Sequence, residues 1–155
     1  MGIDRVPGKL ERARDLGATE TVLAGDDPGD TKAAVREAVG SRPGYVFECI
    51  GLPATVELGI DLVATGGTMV AVGIPPLRER ASFDVGHLID RSARIVGANY
   101  GWAIPDVDFP RLARLFLAGR LPVDRLIESR IALEDVNDAL EALRRGEGLR
   151  RVIAF

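Results

Sequence analysis

Two charged side chains near the start of the sequence have types and positions suited to binding a ribose. Asp4 follows a short apolar segment and precedes a helix predicted from Pro7 to about Leu16. A carboxylate at the end of a strand in a nucleotide-binding sheet accepts hydrogen bonds from ribose hydroxyls and repels a 2′-phosphate. Lys9, on the predicted helix, could approach the same ribose. The ordinary alternatives are that Asp4 opens a turn as a helix cap and that Lys9 is only solvated.

Two glycines each follow a predicted buried strand and could let a ligand approach the backbone. Gly51 follows the apolar run YVFECI, and Gly73 follows the run TMVAV. In open α/β sheets, ligands lie in the crevice at the carboxyl ends of the strands. Arg150, with its neighbour Arg151, precedes the last predicted strand and could pair with a phosphate. The alternatives are ordinary strand-to-loop turns for the glycines and a solubilising chain end for the arginines.

The remaining reactive side chains do not form a catalytic or metal-binding pattern. Cys49 lies inside an apolar run, which predicts a small buried side chain and not a nucleophile. His87 lies in a predicted loop with no cysteine or second histidine nearby. Because the chain has one cysteine and one histidine, a zinc site built from this chain alone is not expected. We therefore predict no catalytic residue and no metal ligand within these residues.

The composition is that of an ordinary globular domain. The chain has 155 residues, of which 46% are hydrophobic and 28% are charged, and its formal net charge is −3. This charge gives no electrostatic reason to expect nucleic acid. No apolar run approaches the roughly 20 residues that a membrane span needs, and the first residues lack the apolar core of a signal peptide. A single cysteine fits a reducing compartment, so we predict a cytoplasmic location.

Short apolar runs alternate with helical segments along the whole chain, which predicts an α/β sheet with crossover helices. The run from Tyr45 to Ile50 has apolar residues at nearly every position, and we expect it to be buried on both faces. The predicted strands are Glu20 to Leu23, Tyr45 to Ile50, Thr68 to Val72, Arg94 to Ala98, a segment within DRLIESRIAL, and the terminal RRVIAF; the predicted helices are Pro7 to Leu16, Thr31 to Val39, Pro53 to Thr65, Val107 to Ala118 and Glu134 to Arg145. The residues alone therefore predict a doubly wound α/β unit with a possible nucleotide crevice.

Taken in order, these segments resemble the C-terminal half of the zinc-type medium-chain alcohol dehydrogenases. The matching segments are IDRVPGKLERARDLGATETV, VFECIG, GGTMVAVGIPP, IVGANYG, LPVDRLI and EDVNDALEALRRGEGLRRVIAF, which span Ile3 to Phe155. Their order is more specific than any single glycine or aspartate. The resemblance implies a Rossmann-type doubly wound parallel sheet formed by residues 1–155. It also implies that the last helix and strand, about 133–155, return toward a catalytic domain outside this sequence.

The resemblance implies NAD as the cofactor and assigns four positions to its adenosine and pyrophosphate end. Asp4 matches the acidic residue that holds the adenosine ribose and selects NAD over NADP. Lys9 matches a basic residue beside that ribose. Ile50 matches one wall of the adenine pocket, and Arg150 matches the arginine whose guanidinium pairs with the pyrophosphate.

At the nicotinamide end, the resemblance assigns five further positions. Val72, Gly73 and Ile74 match the segment whose backbone passes along the nicotinamide and meets its carboxamide. Ala98 and Tyr100 match the positions whose carbonyl and N–H complete that contact. The implied reaction is hydride transfer between an alcohol or aldehyde and NAD, with zinc bound by ligands outside this chain. The loop 74–83 matches the region through which such proteins pair, so a dimer or tetramer is expected.

The resemblance also predicts that the sheet is incomplete. Sheets of this type have the strand order 3-2-1-4-5-6, with strand 1 and its glycine-rich turn in the centre, whereas this sequence matches only from the end of strand 2. We therefore expect strands 3-2 to be separated from strands 4-5-6. We also expect the chain to be a piece of a longer dehydrogenase, or to need a partner segment, and to be inactive alone. The alternatives are a zinc-free quinone or enone reductase of the same superfamily and a non-catalytic module that dimerises.

Overall fold

The computed structural model describes residues 1–155 and contains three separate parallel sheets. The strands are β1 (Gly2–Asp4), β2 (Thr21–Leu23), β3 (Tyr45–Glu48), β4 (Thr68–Ala71), β5 (Arg94–Gly97), β6 (Ile127–Ile131) and β7 (Arg150–Ile153). The pair β1-β2 forms the first sheet, β3-β4-β5 forms the central sheet, and β6-β7 forms the third. Every pairing is parallel.

Helices connect the strands within and between these sheets. They are α1 (Pro7–Asp15), α2 (Pro28–Val39), α3 (Pro53–Leu62), α4 (Val85–Asp90), α5 (Pro105–Leu117) and α6 (Val136–Arg144). The predicted α/β architecture with crossover helices is therefore confirmed, and so is the predicted separation of the first pair from the central block. None of the helices combines the length and the apolar character that crossing a bilayer requires.

The start of α2 illustrates how local sequence sets the helix boundaries. We predicted that this helix begins at Thr31 with Asp30 as its cap, whereas it begins at Pro28. The side chain of Asp27 is the cap, because its Oδ1 accepts a hydrogen bond from the Gly29 N–H at 2.9 Å. Proline suits the first helical turn, where its missing N–H leaves no unsatisfied donor. The predicted boundary was wrong because Asp27-Pro28 is a stronger start signal than Asp30.

The helix α4 was not predicted, because its six residues are too few to show a hydrophobic period. It starts after Asp84, whose Oδ1 accepts a hydrogen bond from the His87 N–H at 3.1 Å. This contact satisfies one of the free N–H groups at the helix start. His87, predicted to lie in a loop, therefore belongs to a short capped helix.

A small apolar cluster joins the first sheet to the central block. Val22 of β2, Val35 of α2 and Leu62 of α3 are all buried and in contact, with Ile3 and other partly buried residues packed around them. The side chain of Val35 is fully enclosed, with 0% of its surface exposed. Since no backbone ladder links β1-β2 to β3-β4-β5, this cluster carries the contact between them.

Replacing Val35 by alanine should lower the free energy of unfolding by about 2 kcal/mol, because two buried methyl groups are lost and a cavity remains. The matched control is Val107→Ala on α5, where the side chain is 60% exposed and the same change should cost little. Urea unfolding followed by circular dichroism measures both values. Equal midpoints for the two variants would show that the cluster does not join the two sheets.

The strand β3 differs from the prediction that the run 45–50 is buried on both faces. Tyr45 is 69% exposed and Phe47 is 65% exposed, so that prediction was wrong. The cause is that β3 has a strand partner only on the β4 side. Its other edge faces a groove of about 230 Å³, lined by residues that include Ile3 of β1 and Val46 of β3. We call this the β1–β3 groove.

Candidate functional site

Two loops cross in close contact at the carboxyl ends of β3 and β4. Gly51 is buried and has a φ of +86°, and a Cβ there would lie 2.7 Å from the carbonyl carbon and oxygen of Ile74. A Cβ on Gly73 would lie 2.1 Å from the Gly51 nitrogen and 2.6 Å from the Ile50 carbonyl carbon. Both distances are far too short for a side chain. The two glycines predicted from the sequence thus share one packing role, which is to let these loops cross.

Glu48, the last residue of β3, holds both loops in place. Its side chain is buried, with 5% of the residue exposed. The carboxylate Oε1 accepts hydrogen bonds from the Ile50 N–H at 2.8 Å and from the Gly51 N–H at 2.9 Å, and a third from the Thr55 hydroxyl at 2.9 Å. A buried carboxylate is stable only when it is hydrogen-bonded in this way.

The backbone of Glu48 fixes the second loop. Its carbonyl oxygen accepts hydrogen bonds from the Val72 N–H at 2.8 Å and the Gly73 N–H at 3.0 Å. One residue therefore positions the turn after β3 through its side chain and the turn after β4 through its main chain. Glu48 was not among the site residues predicted from the sequence. The available signal was an acidic residue inside an apolar run, three residues before Gly51, because a buried carboxylate needs hydrogen-bond donors nearby.

An open cleft of about 700 Å³ lies near these loops, between α1, the loop after β3, α6 and the strand pair β6-β7. Lys9 of α1, Cys49 after β3 and Arg150 of β7 all line it, and α6 contributes apolar residues that include Val136 and Leu140. We call it the Lys9–Arg150 cleft. Neither the Lys9 ammonium nor the Arg150 guanidinium forms an ion pair. The cleft therefore offers two unpaired cations beside an apolar wall, an arrangement suited to an anionic ligand with an apolar part.

Asp4 lies at the end of β1 and is half-buried. The Oδ1 atom of Asp4 accepts a hydrogen bond from the Val6 N–H at 2.9 Å, directly before α1. Asp4 therefore stabilises the turn that leads into this helix. Its other carboxylate oxygen has no hydrogen-bond partner in the structure. Asp4 does not line the Lys9–Arg150 cleft itself.

The remaining predicted positions lie along the carboxyl edge of the central sheet. Ile50 contacts the Gly73 turn, and Val72 and Ile74 flank that turn. The exposed fractions are 60% for Ile50, 39% for Val72 and 84% for Ile74. Ala98 follows β5 and donates its N–H to the Ala71 carbonyl at 2.8 Å.

Tyr100 belongs to a short 3₁₀ turn, Tyr100–Trp102, and its side chain is 87% exposed. Its φ of +51° lies in the left-handed region, which is uncommon for a residue with a bulky side chain. The structure thus brings Ile50, Gly73 and Ile74 into contact, and it brings Lys9 and Arg150 to one cleft. Tyr100 projects from the same edge without a partner.

Cys49 was predicted to be a small buried side chain, and this prediction was wrong because the residue is exposed at the cleft. The strand β3 ends at Glu48, so Cys49 already belongs to the loop. Partial burial of its thiol, followed by the negative charge of Glu48, raises the pKa of Cys49. The thiol is therefore protonated at neutral pH and is a poor nucleophile.

No group of three or more His, Cys, Asp and Glu residues is arranged to hold a metal ion. The residues of this chain therefore do not fit a zinc ion, which needs three or four such ligands. Any zinc-dependent step would have to use ligands from other residues.

Comparison with known proteins assigns the chain to a family. The family model described as zinc-binding dehydrogenase matches residues 1–118. The chain belongs to this family. This confirms the resemblance to the family, because the match covers Asp4, both crossing loops and the segment after β5.

Individual zinc-binding dehydrogenases extend the similarity to the rest of the chain. A geraniol dehydrogenase from Castellaniella defragrans is 31% identical over 164 aligned positions, with 100% of this chain and 43% of that protein covered. A zinc-binding-domain alcohol dehydrogenase from Burkholderia ambifaria superposes with a TM-score of 0.89 at 36% identity, covering 99% of this chain and 40% of the other. A zinc-binding dehydrogenase from Sinorhizobium meliloti, solved with NADP bound, has a TM-score of 0.74 at 26% identity, covering 97% and 43%.

The chain spans about two fifths of the length of these dehydrogenase relatives. The relatives are oxidoreductases, and their likeness to this chain confirms the Rossmann-type fold class. The fold continues through β6, α6 and β7, which lie beyond the residues matched by the family model.

Proposed function

We propose that this chain forms the NAD-binding portion of a zinc-dependent alcohol dehydrogenase that transfers hydride between an alcohol or aldehyde and NAD. The observation that carries the proposal is the Lys9–Arg150 cleft, with two unpaired cations next to the crossing loops at the carboxyl ends of β3 and β4. That edge of a parallel sheet is where α/β proteins bind nucleotides.

Each end of the cofactor has candidate contacts in this arrangement. Arg150 would pair with the pyrophosphate, since a guanidinium forms bidentate hydrogen bonds with phosphate oxygens, and Lys9 would lie beside the adenosine ribose. The side chain of Ile50, 60% exposed, would form one wall of the adenine pocket.

The nicotinamide end would use backbone groups. The turn 72–74 would run along the ring, and Ala98 and Tyr100 would complete the carboxamide contact from the end of β5. When bound, NAD supplies the hydride acceptor, and the zinc site and substrate pocket would come from other residues of the complete protein. The isolated chain is proposed to be inactive for this reason.

We further propose that Asp4 selects NAD over NADP. Its free carboxylate oxygen is available to a ribose hydroxyl, and its charge would repel a 2′-phosphate. A neighbouring cation that could favour NADP, Arg5, is instead paired with Asp26. One relative was solved with NADP bound. The preference of this chain between NAD and NADP therefore has to be measured.

Replacing Asp4 by serine should weaken NADH binding by roughly 10- to 150-fold, because a charge-assisted hydrogen bond of about 1.5–3 kcal/mol is lost. The same change should strengthen NADPH binding, because the repulsion of the 2′-phosphate disappears. Fluorescence titration of the protein with each reduced cofactor gives both dissociation constants. The control is Asp124→Ser, in an exposed turn where the side chain makes no ion pair. An unchanged NADH-to-NADPH preference in Asp4→Ser would contradict the assigned role.

One observation favours a second function, namely pairing of nucleotide domains. In the loop 74–83, Ile74 is 84% exposed and Leu77 is 96% exposed, and large apolar side chains so exposed are typical of interfaces. We propose that this loop supports a dimer or tetramer. A module that only dimerises would give no saturable response to NADH in the same titration. The single cysteine supports a cytoplasmic location for either function.

A further inference from the structure

A second charged pocket, distinct from the Lys9–Arg150 cleft, lies between α2, the end of α3 and α4. Its volume is about 290 Å³, and Lys32, Arg36, Arg42, Asp61 and Arg91 provide its charged lining. None of these residues lines the Lys9–Arg150 cleft. Four cations and one carboxylate converge here although the chain as a whole carries a net charge of −3. We call this site the α2–α4 pocket.

The single carboxylate in the α2–α4 pocket is already paired. The Oδ2 atom of Asp61 accepts a hydrogen bond from the Lys32 ammonium at 2.7 Å. This contact neutralises one of the four positive charges. The next carboxylate, Asp84, caps α4 by accepting from the His87 N–H and lines a neighbouring cavity with Asp61. The three arginines are therefore left without an ion pair.

Two of these arginines are anchored by neutral acceptors at the end of α3. Arg42 and Arg91 both donate to the main-chain carbonyl of Asp61, the latter at 2.9 Å. Carbonyl groups at a helix C-terminus attract cations, which explains why these two guanidiniums lie together. This attraction does not explain the position of Arg36. Arg36 lies on α2, lines the same pocket and forms no side-chain hydrogen bond.

The proximity of the guanidiniums has an electrostatic cost. Burial first, and then the charges of Arg91 and Arg36, lower the pKa of Arg42. Arginine nevertheless stays protonated at neutral pH, so Arg91 and Arg36 repel Arg42, and the charge of Asp61 offsets this repulsion only in part. A bound anion would reduce this repulsion, and the guanidinium fork matches the spacing of the oxygens of a phosphate or carboxylate group.

We propose that the α2–α4 pocket binds a small oxyanion ligand, the phosphate group of a free phosphate or of a small phosphate ester. The guanidinium groups of Arg36, Arg42 and Arg91 would hold the phosphate oxygens by charge-assisted hydrogen bonds. The volume, close to the lower limit for small-molecule pockets of about 300 Å³, suits a ligand of this size. This site is separate from the proposed cofactor site, so either assignment can fail without the other.

Isothermal titration calorimetry of the full chain with sodium phosphate and with glycerol 3-phosphate, at constant ionic strength, tests the proposal. We expect saturable binding of at least one ligand. Tighter binding of the ester would identify a phosphorylated small molecule as the ligand class, and equal or tighter binding of phosphate would identify the free ion. Absence of saturable binding by both would overturn the proposal.

Three variants locate the bound anion. Arg36→Gln should weaken binding about tenfold, because one charge-assisted contact is lost. It should remain folded, since the Arg36 side chain is exposed and forms no hydrogen bond or ion pair. Arg111→Gln, an exposed arginine on α5 without an ion pair, removes the same charge and should leave binding unchanged. Arg150→Gln should also leave it unchanged. Equal losses in Arg36→Gln and Arg111→Gln, or a loss confined to Arg150→Gln, would overturn the site.

Discussion

Replacing Gly73 by alanine is expected to lower the free energy of unfolding by about 2–3 kcal/mol, the usual upper cost of overpacking a well-packed site. The added Cβ would lie 2.1 Å from the Gly51 nitrogen, 2.6 Å from the Ile50 carbonyl carbon and 2.7 Å from the Gly51 Cα. All three are backbone atoms, so no side-chain rotation can relieve the clash. The loop after β4 must move away from the loop after β3, and NADH binding should be lost with it.

Gly97→Ala is the matched control for this substitution. Gly97 ends β5, the neighbouring strand of the same sheet, and a Cβ there would meet nothing within 4 Å. Urea unfolding and NADH titration of both variants separate the effect of the loop crossing from that of losing any strand-end glycine. If Gly73→Ala were as stable as Gly97→Ala and still bound NADH, the loops would not depend on their close contact.

Replacing Glu48 by alanine should lower the free energy of unfolding by about 3 kcal/mol, because it leaves the Ile50 and Gly51 N–H groups without their acceptor, whereas the Thr55 hydroxyl keeps the Leu52 carbonyl. Glu48→Gln keeps a carbonyl oxygen that can accept the same hydrogen bonds, although without the charge, so about 1 kcal/mol should be lost. Cofactor affinity should fall in the same order, since Ile50 and Gly51 lose the group that orients them.

The control for Glu48 is Glu37→Ala, an exposed glutamate on α2 without a side-chain hydrogen bond. Its loss should change the stability by less than about 0.5 kcal/mol. Thermal and urea unfolding of the three variants give the order of stability. A Glu48→Ala variant no less stable than Glu37→Ala would mean that the two loops keep their path without the carboxylate.

Features that depend on residues close together along the chain could be predicted from the sequence. The helices that start at Pro7 and Pro53, the strands near Tyr45, Thr68 and Arg94, and the glycines at the strand ends follow from local patterns and were found near their predicted positions. The separation of the first strand pair from the central sheet also followed, because the expected strand order places a strand between them.

Features set by distant contacts were not predictable. Whether Tyr45 and Phe47 are buried depends on a strand that pairs with the open edge of β3. The pattern of apolar residues in the run 45–50 does not show whether such a strand is present. The role of Glu48 depends on the path of two loops that are more than 20 residues apart in sequence. The α2–α4 pocket combines four cations and one carboxylate from separate segments of the chain, and each of them is an ordinary surface charge when considered alone.

The β1–β3 groove has a consequence for how the protein behaves in solution. The free edge of β3 presents unpaired N–H and C=O groups with exposed aromatic side chains, and no charged residue or proline interrupts it before Glu48. Such an edge can accept a strand from another molecule. Self-association of the chain at high concentration would therefore begin at Tyr45 and Phe47. A lysine in place of either residue would reduce this aggregation.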